Sequence, residues 1–266
     1  MELTAMLKRI DETKKWIEER RPLDPEEVKQ LDAYYRIGMT YSSNALEGNT
    51  LTLTETKILL EDGLTAGGKP IRDCYEVIGH AKAYDFMLKA ARSNPFIFSE
   101  DMVLQLHKLF YQGIDADDAG VYRNVQVIIT GSEHMPPKAK EVPAHMRRLV
   151  DELNEKWDET HCVKLAALAH RKLVDIHPFV DGNRRTARLL MNLILINRGY
   201  QIISIPPVMR RDYIIALEAA RFEDSPNDEP FNLLTAECEI EAQKDFCRMF
   251  HIKPPKRKSP SQTTRT

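Results

Sequence analysis

The chain has 266 residues, 38 basic and 40 acidic, a formal net charge of −2, and 42% hydrophobic against 29% charged side chains. A folded chain of this size buries roughly 73% of the surface its unfolded form exposes, enough for one or two cores, which excludes disorder throughout. The charge balance excludes global attraction to nucleic acid or anionic lipid, and no apolar run approaches the about 20 residues that cross a bilayer.

In chain order the pattern is helical. Lys8, Arg9 and Asp11 stand where a signal peptide carries its apolar stretch, so no leader is expected. Asp24, Pro25 and Glu27 combine an N-cap, a proline at N1 and an acidic N3 residue, starting a helix that stops near Gly48. Thr52 with Glu55 repeats the capping box for a second helix, ended by Gly63. A third is expected over 72–91, and a fourth runs from a Ser99 cap to about Gly113. The β-branched run 125–129, then Thr130-Gly131-Ser132 and Pro136-Pro137, predicts a small hairpin with a proline-blunted second arm. Further helices follow over 143–158, 161–175, 184–197, 211–221 and 231–250. Lys253, Lys256, Arg257, Lys258 and Arg265 mark a basic, frayed tail. Cys74, Cys162, Cys238 and Cys247 are scattered without metal spacing, as expected of ordinary thiols in a reducing, cytoplasmic setting.

The densest chemistry lies in His177-Pro178-Phe179-Val180-Asp181-Gly182-Asn183-Arg184-Arg185-Thr186-Ala187-Arg188, between two apolar-faced helices. The first N–H groups of the second helix lack intrahelical acceptors and sit at the positive end of its dipole, a cradle for phosphate oxygens. Arg185 and Arg188, three apart, share a helix face and can reach one anion. Asp181 offers a hard oxygen ligand for Mg²⁺, and His177 an imidazole suited to taking a proton from a hydroxyl. These parts predict a nucleotide-phosphate site with its own base.

The stretch resembles the signature of the Fic family, His-x-Phe-x-(Asp/Glu)-Gly-Asn-Gly-Arg-x-x-Arg, departing from it only in Arg184 for the last glycine. The resemblance covers roughly residues 25–235. It implies an all-α Fic fold and transfer of AMP from ATP, with Mg²⁺ or Mn²⁺, to a Ser, Thr or Tyr hydroxyl of a target protein. By the same resemblance His177 is the base and Asp181 the metal ligand. Asn183, with the backbone N–H groups of Gly182 to Arg185, forms the anion hole; Arg185 holds the β-phosphate and Arg188 the γ-phosphate. Phe179 packs. Arg184 leaves two alternatives open: a phosphotransferase, because a toxin branch of the family has Lys there, or a non-catalytic nucleotide-sensing interaction module.

Ser43-Asn44-Ala45-Leu46-Glu47-Gly48 matches the family's inhibitory pattern, (Ser/Thr)-x-x-x-Glu-(Gly/Asn). The resemblance implies that Glu47 pairs with Arg188 and occupies the γ-phosphate's space. Residues 47–55 and 76–79 extend the similarity to the animal endoplasmic-reticulum branch and its bacterial relatives, where the same glutamate also serves removal of AMP. Residues 120–137 look like the family's flap, which holds the target segment by strand pairing. Ile129 and His134 fall where relatives touch nucleotide; Tyr213 and Arg221 lie on the expected nucleoside side. Asn192 is expected to be structural. The expected layout is an N-terminal helical region with the inhibitory helix (1–92), a catalytic core (93–250) and the basic tail (251–266). A homodimer is an open expectation; a DNA-binding appendage and a membrane segment are not expected.

Overall fold

Two helix starts are set by a reciprocal local side-chain cap. The Asp24 carboxylate accepts from the backbone N–H groups of Glu26 and Glu27, and Glu27 returns a bond to the Asp24 N–H, closing the capping box that opens α2 (Pro25–Ala45). Thr52 and Glu55 do the same for α3 (Leu53–Asp62), which Gly63 ends in a left-handed conformation at φ +69°. The computed structural model describes residues 2–20, 23–65, 67–221 and 227–252. Residues 253–266, with all the basic residues of the expected tail, lie outside them.

The remaining helices are α1 (Leu3–Glu19), α4 (Ile71–Ala91), α5 (Glu100–Tyr111), α6 (Val142–Glu155), α7 (Cys162–Ile176), α8 (Asn183–Asn197), α9 (Arg210–Ala219) and α10 (Glu229–Met249). Helix α1 is absent from the sequence expectation, although Leu3, Met6, Leu7, Ile10 and Ile17 bury a face at helical spacing against α10. Ser99 precedes α5 but its side chain makes no capping bond.

Helices α7 and α8 form an antiparallel pair, with the Cys162 thiol near the start of α7 facing the Ile194 carbonyl near the end of α8. Helix α8 is buried on nearly every side by α4, α5 and α7, which explains its continuous apolar run from Leu189 to Leu195. Its one polar interruption is satisfied: Asn192 donates to the Arg188 and Ile203 carbonyls and accepts from the Ile203 N–H. Each such Leu or Ile contributes about 1.5–3 kcal/mol on burial, so the N-terminus of α8 is held by its own core. Helix α4 meets α5 at Gly79, where a Cβ would lie 2.0 Å from the Phe110 carbonyl oxygen; no larger residue permits that approach. One buried cluster runs from Leu3 to Ala242.

The expected β-hairpin is not formed, and the described residues contain no strand. Residues 124–138 make an irregular loop whose tip is a turn, Ser132 N–H to the Ile129 carbonyl, with Gly131 at φ +80°. Pro136 and Pro137 have no N–H for a ladder. Side chains replace one: Arg123 donates to the Val125, Pro137 and His177 carbonyls, and the Gln126 amide to the Pro136 carbonyl.

Candidate active site

Helix α7 ends at His177, which takes a left-handed conformation at φ 50° and turns the chain into the 177–182 loop. This is an uncommon conformation for a non-glycine residue and marks a constrained position. The His177 Nδ1 lies 3.1 Å from the Val174 carbonyl. That carbonyl can only accept, so Nδ1 carries the proton and Nε2 is left as the acceptor. Burial, the largest influence, depresses the imidazole to about 4; the Val174 bond opposes this, and the Arg184, Arg123 and Arg221 charges add to it.

The loop is clasped from within. Asn183, which opens α8, accepts from the Phe179 N–H and donates to the Phe179 carbonyl, both at 2.9 Å. Its side chain is therefore a staple across the loop, while its backbone N–H stays at the start of α8. Phe179 stacks on His107 with ring centroids 3.7 Å apart. His107 accepts the Gly120 N–H at Nδ1 and so donates through Nε2 to the Asp181 carbonyl at 3.0 Å. Burial first, and the Arg185 charge, lower His107 to about 4, which keeps this tautomer neutral. Gly182 stands at φ +78°, where an added Cβ would lie 2.8 Å from Phe110 Cε1. Conformation and space both require glycine there. The first intrahelical donor of α8 is Thr186, to the Gly182 carbonyl, so the N–H groups of Asn183, Arg184 and Arg185 precede the helix's own bonding.

Asp181, Gly182, Asn183, Arg184 and Arg185 line a cavity of about 210 Å³ together with His177, Glu47, Val180 and Ile128–Thr130. Asp181 Oδ2 accepts from Arg72 at 2.7 Å, while Oδ1 accepts from the Gly182 N–H and lies 3.4 Å from Arg185. Arg185 is turned inward: it pairs with Glu76 at 2.9 Å and stacks over Phe110 at 4.6 Å. Among the described residues no cluster of three or more His, Cys, Asp or Glu can hold a metal by itself. One partly exposed carboxylate in a helix-terminal phosphate cradle does match Mg²⁺, which binds through one or two carboxylates plus substrate phosphates.

Arg188 lies behind the cavity, its side chain only 3% exposed. Its Nε donates to Ser43 Oγ at 3.0 Å and its Nη2 to the Ser43 carbonyl at 2.7 Å. Nη1 reaches Glu47 Oε1 at 2.8 Å and the Tyr213 hydroxyl at 3.2 Å. Glu47 thus stands between Arg188 and the cavity, and its second oxygen lies 3.4 Å from Arg184 Nη1. Burial pulls the Glu47 carboxyl upward, but the Arg188 and Arg184 charges and the Arg188 hydrogen bond outweigh it and hold it below the usual range. Gly48 follows at φ +95°, turning the chain off α2. Arg210 donates to the Leu46 carbonyl, and Asn49 and Thr50 bond to Glu76 and Asp73 on α4, so both sides of Glu47 are anchored.

Of the expected nucleoside-side residues, Ile129 lines the cavity. Tyr213 does not: it is fully buried, and its hydroxyl bridges Arg188 and His170 Nε2. His134 turns to the Asp175 carbonyl, and Arg221 binds Asp175, Glu218 and Ser132, so both fasten the loop to α7 and α9. His107, Arg72, Glu76, His170 and the anchoring role of Arg123 escaped the sequence reading. Each reaches a partner at the site across more than 25 residues of chain, and no local spacing signals that contact.

Fold and site together define a helical bundle with a histidine-bearing loop over a helix N-terminus. Residues 97–195 match the Fic/DOC family. Protein adenylyltransferase Fic of Drosophila willistoni is 36% identical over 208 residues, covering 78% of this chain and 40% of that protein. Its Drosophila melanogaster counterpart is 37% identical over the same length, covering 78% and 41%. Among solved structures, Fic-1 from C. elegans superposes with a TM-score of 0.84 at 29% identity, covering 94% of this chain and 73% of that one. A Fic domain containing signaling protein from Bacteroides thetaiotaomicron has a TM-score of 0.79 at 29% identity, covering 90% and 94%. Residues 97–195 thus form a Fic/DOC domain, and the similarity to Fic proteins runs on over 78% of the chain. The chain spans about two fifths of the length of the curated relatives it matches.

Proposed function

We propose that the protein is an autoinhibited adenylyltransferase that moves AMP from ATP to a hydroxyl group of a target protein. The observation that carries this reading is that His177, with its proton on Nδ1, lines the same cavity as the N-terminus of α8 and Asp181. The relatives named as protein adenylyltransferases support the choice of AMP as the transferred group.

In this reading the unbonded N–H groups of Asn183, Arg184 and Arg185 face the phosphate oxygens. The target hydroxyl attacks the α-phosphorus while His177 Nε2 takes its proton. A bond forms from the hydroxyl oxygen to phosphorus, the bond to the bridging oxygen breaks, and pyrophosphate leaves. Asp181 would hold Mg²⁺, which when bound supplies neutralising charge to the phosphates. Arg72 must release the Asp181 carboxylate first; both side chains are substantially exposed, and such a pair is weak. Glu47 is the brake: it occupies a guanidinium N–H of Arg188 that a terminal phosphate would take, leaving ATP out of line for attack. Once displaced, the same carboxylate could align water for AMP removal. The 124–138 loop, with Val125 and Ile128 exposed and its backbone not committed to a ladder, would hold the target segment.

The test uses Glu47→Gly with ATP labelled at the α- or the γ-phosphorus. Protein-bound label from α alone supports AMP transfer. Label from γ alone would make the protein a phosphotransferase, and neither label a binding module.

A further inference from the structure

We propose that Arg184 is a partner-exchanging residue: it shares the Glu47 carboxylate with Arg188 at rest, and grips the terminal phosphates of a nucleoside triphosphate once Glu47 leaves. This rests on reading the cavity as a nucleotide-phosphate site.

The two guanidiniums on Glu47 differ in what remains when the carboxylate departs. Arg188 keeps both bonds to Ser43 and its bond to Tyr213, and stays where it is. Arg184 has Glu47 as its one charged partner among the described residues. Its Nε–H is buried without a hydrogen-bond partner among them. A buried donor left unmade is unfavourable, so the head group is poised for a further acceptor. Its place adds to this: a cation in the first turn of α8 sits at the positive end of the helix dipole, and the Glu47 charge offsets that repulsion. Without Glu47, Arg184 has no charged partner among the described residues, and it lines the cavity beside three backbone N–H groups that precede the helix's own bonding. The ligand that satisfies all of these is a polyanion with more than one phosphate. Ordinary αR angles suffice at this position, so replacing the family's glycine keeps the backbone cradle and adds a side-chain donor.

The experiment measures Mg·ATP and AMP affinity by calorimetry for the wild type, Arg184→Gln, Glu47→Gly and the double variant. In the Glu47→Gly background, Arg184→Gln should weaken ATP about tenfold, as expected for one charge-assisted hydrogen bond, and AMP by less than about twofold. With Glu47 present the same change should move ATP affinity by less than about twofold, because a lost phosphate contact is offset by a loosened brake. Arg184→Lys, which keeps charge but not the planar fork, should fall between, and thermal melting checks that each variant is folded. Equal losses in both backgrounds, or an equal loss for AMP, would overturn the inference while leaving the nucleotide site intact. No ATP binding even by Glu47→Gly would remove the cavity reading and this inference with it.

Discussion

The loop at 177–182 and the end of α2 meet over the same helix terminus, and they are held in opposite ways. The loop is fastened by short bonds to backbone groups: Asn183 on Phe179, His107 on Asp181, Arg123 on His177. None of these partners is a substrate-like anion, so nothing entering the cavity competes for them. Among the described residues Glu47 is held at its carboxylate by Arg188 and Arg184 alone, and in the proposed function a phosphate competes for both. In the proposed function the loop is a frame and Glu47 a plug. A site needs its frame rigid and its plug exchangeable, and the chemistry of the partners makes that division.

The comparison breaks most sharply at the base. His177→Ala, in a Glu47→Gly chain, should lower AMP transfer by about 10²–10⁴-fold, the usual span of a general base. Calorimetric ATP affinity should stay within about twofold; comparable loss in both would make His177 part of the frame rather than the chemistry. Removing the plug is next: Glu47→Gly should raise self-labelling from α-labelled ATP by about tenfold or more, one charge-assisted contact. An unchanged rate would dismiss the brake.

The pH profile sharpens the contrast. Because His177 is depressed to about 4, transfer by the Glu47→Gly chain should show its acid limb near pH 4 in kcat/KM, and not near pH 6.5. An acid limb at the ordinary imidazole value would argue against the buried, Nδ1-protonated base. Stability runs the same way. Between about pH 6.5 and 4 the unfolded chain binds protons at His177 and His107 that the native chain does not, so the contribution of these two groups to stability falls as pH falls through that window and is full above it; the buried Glu239 carboxyl, raised to about 8, contributes in the opposite direction. A stability measurement probes the frame itself. Gly182→Ala must accept a positive φ and a Cβ against Phe110, and should destabilise by about 2–4 kcal/mol in urea unfolding. No shift in midpoint would show the loop to be loose.

Capping boxes at Asp24 and Thr52 and the stop at Gly63 were legible because each is a local bargain among residues three or four apart. The face of α1 carried the same kind of signal and went unread. The hairpin failed where local propensity met a local veto: residues 125–129 favour a strand, but Pro136 and Pro137 cannot return the bonds. Tyr213, His134 and Arg221 turn away from the expected nucleoside side for a different reason. Their types suit both a ligand and a buried partner, and only the packing of distant helices decides which partner arrives.

From its order of residues alone, the chain determined where helices begin, that a glycine-hinged loop opens α8, and that an imidazole, a carboxylate and guanidiniums cluster there, since all of this depends on spacing along a single turn or loop. The tertiary structure decided that Glu47, more than 130 residues away, stands between Arg188 and the cavity with a second hold on Arg184, and that Arg185 faces Glu76. Those outcomes follow from α2 and α4 packing beside α8, a nonlocal burial of apolar faces to which no single segment commits the chain.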